Sequence, residues 1–266
     1  QYDYTTMGET WSTPRIIRMP TSADGNIESD RYVAVMGGGM GRADQCAGSS
    51  IFLVDLEGQV DGFPGRIFGA EVNGGPITIV DTNPAGVTAG TEIISTPNGS
   101  NIPNAIPASP VVITPDTAPN IPWRGALVYI NDLEGKVTKI NLSNNTKGYS
   151  DDTTGGVLST GVTELYDQTT LFRLNASEEN ARYSYFQMEA GLGVTNGGFW
   201  LFGSTGNFTD LGGREPGLDN ILYGVRDVHY PYWRHLNGVK IPKAITSVAN
   251  DNGDIETQIN SDFIKK

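Results

Sequence analysis

Ile51-Phe-Leu-Val-Asp-Leu-Glu-Gly-Gln-Val60 and Leu127-Val-Tyr-Ile-Asn-Asp-Leu-Glu-Gly-Lys-Val-Thr-Lys-Ile140 spell nearly the same unit twice. Each reads as an apolar strand, a tight Asp-Leu-Glu-Gly turn and a returning strand, with the glycine free to take the positive φ that such turns demand. Each lies downstream of a Ser/Thr-Pro that opens a β-branched run, Thr13-Pro-Arg-Ile-Ile17 in one case and Ser109-Pro-Val-Val-Ile113 in the other. A hairpin unit that recurs with no helical pattern between its copies points to a repeat architecture of propeller blades. The expectation is an all-β chain, a modified β-propeller, whole or partial, with long surface loops.

Composition agrees with that class. The chain has 266 residues, 34 of them Gly and 15 Pro, and only 18% are charged, so turns are dense and the residues that build surface helices are sparse. Its net charge of −12 repels a phosphate backbone, and no local run of Lys and Arg outweighs it, so nucleic acid is not an expected partner. No stretch has the length and hydropathy of a membrane-spanning helix. The chain starts at Gln1 rather than Met, which suggests a start within a longer protein or after cleavage. A lone cysteine, Cys46, has no internal disulfide partner and reads as a small packed side chain. The sequons at Asn98, Asn141, Asn144, Asn175 and Asn207 would take glycans only in a eukaryotic secretory route.

Short β-branched or aromatic runs bounded by Gly, Pro, Asn and Asp predict strands at Arg15 to Met19, Tyr32 to Met36, Ile51 to Asp55, Ile77 to Val80, Val111 to Thr114, Ala126 to Ile130 and Lys136 to Leu142. More follow at Leu171 to Leu174, Tyr183 to Phe186, Phe199 to Phe202 and Ile221 to Val225. That is about eleven strands, enough for roughly three blades of four. The two Ser/Thr-Pro openings lie farther apart than the two turns, so an insertion separates the units. Residues 62–107, crowded with Gly, Pro and Asn, read as that insertion, and residues 143–160 as a second polar loop, both on the surface. The propeller-like domain then covers residues 1–246, and residues 247–266 form a polar tail with room for one terminal hairpin. Helix is expected only briefly, near Ser177 to Ala181.

Few residues suggest chemistry. Gly37-Gly-Gly-Met-Gly-Arg42 follows a strand, but Arg42 stands where a dinucleotide fingerprint needs its third glycine and no helix follows, so the run reads as a bulged strand end. Asp24-Gly-Asn-Ile-Glu-Ser-Asp30 alternates oxygen side chains as calcium would want, yet its glycine is misplaced for an EF-hand-like loop, and a solvated turn explains it as well. Asn250-Asp-Asn-Gly-Asp254 is a weaker version of the same pattern. His229 and His235 flank Tyr230-Pro-Tyr-Trp-Arg234 without a nucleophile motif beside them, which favours a packed closing segment. Paired carboxylates for glycosidase chemistry require a cleft that sequence does not reveal. We therefore assign no catalytic, cofactor-binding or metal residue from sequence.

Taken in order, Gly8-Glu-Thr-Trp-Ser-Thr-Pro14, Tyr32-Val-Ala-Val-Met-Gly-Gly-Gly39, Ile51-Phe-Leu-Val-Asp55, Ala108-Ser-Pro110, Leu127-Val-Tyr-Ile-Asn-Asp-Leu-Glu-Gly-Lys136, Phe202-Gly-Ser-Thr-Gly-Asn207 and Leu222-Tyr-Gly-Val-Arg-Asp227 resemble the C-terminal propeller of the PilY-type (neisserial PilC) proteins, the type IV pilus tip-associated adhesins. The resemblance implies a modified propeller with quinoprotein-like blades, exported to the cell surface at a pilus tip. There it would act without catalysis in pilus assembly and in contact with host or abiotic surfaces, docking on minor pilins. Such families usually carry an acidic calcium loop after the Ser-Pro strand. Here that window, Thr114-Pro-Asp-Thr-Ala-Pro-Asn-Ile-Pro-Trp-Arg124, keeps only Asp116, so no calcium ligand is carried over. Two rivals stand beside this reading. A quinoprotein-type dehydrogenase would share the blades, but such enzymes resemble one another in an adjacent-cysteine disulfide that Cys46 alone cannot supply. A carbohydrate-binding module would use exposed aromatics such as Trp123, Tyr230, Tyr232 or Trp233.

Overall fold

The structure, a computed structural model, describes residues 2–21, 30–41, 47–58, 62–69, 74–79, 105–114, 125–143, 165–173, 182–193, 198–209, 220–227 and 263–265, together with 212 and 230. Among them every regular element is a strand: β1 (Arg15–Met19), β2 (Arg31–Gly37), β3 (Ser50–Asp55), β4 (Ile67–Phe68), β5 (Ile77–Thr78), β6 (Val111–Ile113), β7 (Gly125–Asn131), β8 (Lys136–Ser143), β9 (Gln168–Arg173), β10 (Glu189–Leu192), β11 (Phe199–Ser204), β12 (Leu222–Asp227) and β13 (Phe263–Lys265). They form three sheets in chain order: β1-β2-β3-β4 with β5 also on β3, then β6-β7-β8-β9, then β10-β11-β12-β13. All neighbours pair antiparallel. The described part of the chain is all-β, as expected.

The sheets stack face to face, with the β6–β9 sheet in the middle. Successive side chains of a strand point to opposite faces, so a strand covered on both sides reads as an unbroken apolar run. Strand β7, Gly-Ala-Leu-Val-Tyr-Ile-Asn, is buried at every position for that reason. Its Ala126, Val128 and Ile130, with Ile140 and Leu142 of β8, pack on Ile17, Met19, Val33, Val35, Ile51 and Leu53 of the first sheet. Its Leu127 and Tyr129, with Val111, Val137 and Leu171, pack on Phe199, Leu201, Tyr223 and Val225 of the third. Each fully buried Leu, Ile, Val or Phe here contributes about 1.5–3 kcal/mol of transfer free energy. A bulge between Val137 and Thr138 shifts the β8–β9 register by one residue.

Three departures from the sequence expectation have physical reasons. Within residues 62–107, expected as surface turns apart from the strand at Ile77 to Val80, that strand forms as Ile77–Thr78 on β3, Ile67–Phe68 adds a second short strand there, and Ile67, Ile77, Ile79 and Ile106 are buried. A strand as short as Ile67–Phe68 leaves no alternation to read, and its apolar side chains are recruited by the core beneath. Tyr183 to Phe186 is not a strand. Its aromatic rings form a small cluster with Ala105, Leu133 and Phe208, and the ladder begins later, at β10, whose Glu-Ala-Gly-Leu has no β signature and is fixed by its partner β11. Strand β13 joins β12 from within the expected tail. The expected helix near Ser177 to Ala181, and residues 144–160 of the second loop, lie outside the described residues.

The twin turns are not sister parts. Asp132 to Gly135 closes the β7–β8 hairpin: Gly135 N–H donates to Asp132 O (2.9 Å), Lys136 N–H donates to Asp132 Oδ1 (2.9 Å), and Gly135 has φ 72°. Asp55 to Gly58 follows the third strand of its sheet rather than the second. The return strand comes only at Ile67, and Leu56 is 43% exposed whereas Leu133 is buried. The two copies share Asp capping of the turn, Asp55 Oδ1 accepting from Glu57 N–H at 3.0 Å, and a positive-φ glycine, Gly58 at 64°. They occupy opposite ends of their sheets.

Candidate functional site

The glycine run ends β2 at Gly37 and continues as a backbone crossing point. Gly39 N–H donates to Ile106 O (2.9 Å), Ile106 N–H donates back to Gly39 O (3.1 Å), Gly8 N–H reaches Gly38 O (2.8 Å), and Met40 N–H reaches Glu9 O (2.8 Å). Gly39 has φ 88°, and a Cβ there would run into the backbone of Glu9 and Thr10. The amides of Gly38, Gly39 and Met40 are taken by protein carbonyls and that of Gly37 by a serine hydroxyl, which accounts for the run as close backbone packing. Ser12 Oγ accepts from Gly37 N–H (3.0 Å), and Thr13 N–H donates to Ser109 Oγ (2.7 Å), so the two Ser/Thr-Pro openings meet here.

Between the middle and third sheets lies a buried polar cluster that the sequence did not announce. Tyr129 and Lys139 are register partners on β7 and β8, which places both side chains on the same face. Asp227 ends β12 opposite them. Its Oδ2 accepts from Tyr129 Oη–H at 2.8 Å and pairs with Lys139 Nζ at 2.6 Å, and the ammonium sits 5.9 Å from the Tyr129 ring centre. Phe199 tilts against Tyr129 at 5.1 Å and stacks on Tyr230 at 4.4 Å, closing the site. Burial raises the Tyr129 phenol well above the ordinary tyrosine range, and the Asp227 charge adds to this. Burial lowers the Lys139 ammonium while Asp227 opposes it. All three side chains are buried. The cluster is a charge-assisted clasp between sheets.

The outer face of the third sheet is different. Along β11, Trp200 and Phe202 point away from the core, their rings 6.2 Å apart and only 14° from parallel. Register places Gly191 of β10 and Arg226 of β12 on either side of Trp200, and Glu189 and Gly224 on either side of Phe202. Gly224 leaves room for the Phe202 ring: a Cβ there would stand 2.9 Å from Phe202 Cε1, whereas one at Gly191 would make only ordinary contact, 3.8 Å from Cε2. Phe202 is 47% exposed, and Leu222 beside it 62%.

Of the residues singled out in the sequence, Asp30 is described, and its carboxylate pairs with Arg18 Nε at 3.3 Å. Residues 24–29, 115–124, 228–229, 231–235 and 250–254, and Cys46, lie outside the described residues. Tyr230 is described and belongs to the core clasp rather than to an exposed platform. Asn141 is buried and accepts from Ser143 Oγ at 2.6 Å, a setting closed to a glycan. Among the described residues no group of three or more His, Cys, Asp or Glu is placed to hold a metal, and no helix is long and apolar enough to cross a membrane. The platform of Trp200 and Phe202 went unnoticed in the sequence. Aromatics at i and i+2 were visible, but the glycines beneath them are identified only by strand register.

No protein-family model matches the chain, and no curated protein matches it. Among solved structures, the crystal structure of the Pseudomonas aeruginosa PilY1 C-terminal domain aligns with 86% of this chain, at 14% sequence identity and a TM-score of 0.45. The chain spans 39% of the length of that protein.

Proposed function

We propose that the chain is a non-catalytic binding module of an exported type IV pilus tip protein, with blades of a modified β-propeller as its frame, acting in surface adhesion and in pilus assembly by docking on minor pilins. The observation that carries this reading is the ordered set of motifs between Gly8 and Asp227, together with the way the separated members come together. Gly8 to Ser12 hydrogen-bonds along Gly37 to Met40, and Thr13 meets Ser109. Antiparallel sheets of four or five strands, stacked in chain order, suit a blade arrangement. Long connections between such sheets then carry recognition while the frame stays fixed.

The test is twofold. Purified chain is measured against each purified minor pilin of the source organism by biolayer interferometry, and a strain deleted for the gene is scored for surface pili and attachment. Saturable binding to at least one minor pilin, with loss of pili or attachment in the deletion strain, is expected. Absence of binding to every minor pilin, with piliation and attachment intact, overturns the reading.

A further inference from the structure

We infer that Lys139 and Asp227 condense after folding into an intramolecular amide, a covalent rung that joins strand β8 of the middle sheet to strand β12 of the third. The inference stands apart from the pilus reading, because it concerns only groups inside the core.

Three observations lead to it. Lys139 Nζ lies 2.6 Å from Asp227 Oδ2, so the carboxyl carbon is one C–O bond beyond the contact and the nitrogen needs little movement to reach it. Holding two reactants in that way turns a bimolecular encounter into an effectively unimolecular step, equivalent in well-oriented pairs to about 10⁵–10⁸ M of free reactant. The pair is also withdrawn from water: the two side chains are 1% and 0% exposed, and the rings of Tyr129, Phe199 and Tyr230 pack in succession beside them. Such surroundings penalise separated charges and favour the neutral amine and neutral acid that one proton transfer produces, and burial lowers the Lys139 ammonium accordingly. Finally, Tyr129 Oη–H donates to the same Oδ2 at 2.8 Å, and burial keeps that phenol protonated. Oδ2 is therefore the oxygen prepared to depart, with a hydrogen-bond donor already on it.

The step balances without a further reagent. The ammonium passes one proton to Oδ2, the nitrogen lone pair attacks Cγ, the Cγ–Oδ2 bond breaks, and a second nitrogen proton leaves with Oδ2 as water while the third stays on the amide nitrogen. Nothing is oxidised or reduced. One positive and one negative charge disappear together, and with them the desolvation cost that burdens a buried ion pair. The other buried pair, Lys136 with Asp132, gives the contrast: it stands at 3.3 Å within a single hairpin turn, where Asp132 Oδ1 is engaged by the Lys136 N–H, and a bond there would tie nothing that the hairpin does not already hold. An amide between Lys139 and Asp227 closes residues 139–227 into one loop and constrains the unfolded chain. The freshly folded chain carries the ion pair and the aged chain the amide.

Intact-mass spectrometry of the full chain, purified unfolded and then refolded, follows the step in time. The refolded chain is expected to become lighter by one water over days at body temperature, while chain kept in urea holds its mass, and tandem spectra of a tryptic digest should show the peptides of Lys139 and Asp227 joined. Tyr129→Phe keeps the ion pair and should slow the loss at least tenfold; Lys139→Met with Asp227→Leu should keep the fold and lose no water. Chain recovered folded from the soluble fraction gives the same reading should refolding fail. A cooperatively folded chain whose mass still equals the sum of its residues after a week overturns the inference. So does a water lost elsewhere, such as a succinimide within one peptide, and an unchanged rate in Tyr129→Phe overturns the part given to the phenol.

Discussion

At the scale of single residues, Asp227 is the pivot, because one carboxylate oxygen serves both Tyr129 and Lys139 inside the seam. Taking away one member of a buried ion pair strands the other charge, at a cost of about 3–5 kcal/mol, whereas replacing both with apolar groups is often close to neutral. Asp227→Ala and Lys139→Ala are therefore each expected to lower urea stability by about that amount, and Lys139→Met with Asp227→Leu to recover most of it. Additive losses in the double variant would contradict the clasp. Tyr129→Phe removes one donor and leaves the ion pair, so about 1–2 kcal/mol is expected. Its pH profile has a definite sign. Folding raises the Tyr129 phenol above its ordinary value, chiefly by burial, so above about pH 10 the unfolded chain gives up a proton that the folded chain keeps. The stabilising contribution of Tyr129 is whole below that range and is lost as pH rises through it. The stability gap between parent and Tyr129→Phe should accordingly narrow as pH rises above about 10; a constant gap would show a solvated phenol.

At the scale of elements, the glycine crossing and the recruited strands make separate demands. Gly39 combines a φ of 88° with backbone contact from Glu9 and Thr10, so Gly39→Ala is expected to cost at least about 2 kcal/mol, read as a shift in the urea midpoint. Deleting residues 62–107 would remove Ile67, Phe68, Ile77, Ile79 and Ile106 from the core. The product should lose its cooperative thermal transition, an outcome opposite to that for a dispensable surface loop. These cases also mark how far the sequence is legible. Strands β1, β2, β3, β5, β6, β7, β8, β9, β11 and β12 stand out, wholly or in part, because each lies in or overlaps a β-branched or aromatic run bounded by turn residues. Strands β4, β10 and β13 are too short or too plain, and only their neighbours define them. The repeated Asp-Leu-Glu-Gly encodes a local backbone shape, an Asp-capped turn with a positive-φ glycine; which strands it joins is decided elsewhere. The clasp and the platform were opaque for a related reason: Tyr129, Lys139 and Asp227, or Trp200, Gly191 and Gly224, become neighbours only once strands are laid side by side.

At the scale of the whole molecule, three sheets are layered in the order in which they are encoded, and the middle one depends on both neighbours. A chain truncated after Arg173 keeps the first two sheets but bares Leu127, Tyr129, Val137 and Leu171. It is expected to bind 8-anilinonaphthalene-1-sulfonate and to be recovered largely in the insoluble fraction, whereas a soluble, dye-silent fragment would mean that the third sheet is an accessory. The same layering has a temporal side. Translation proceeds at about 5–20 residues per second, and the strands of the third sheet that cover the middle one are made after it. For some seconds every nascent copy carries a finished sheet with one greasy side open and a lysine awaiting its counter-ion, so neighbouring ribosomes on one message are placed to entangle their products, and yield should depend on how quickly that gap is closed or shielded.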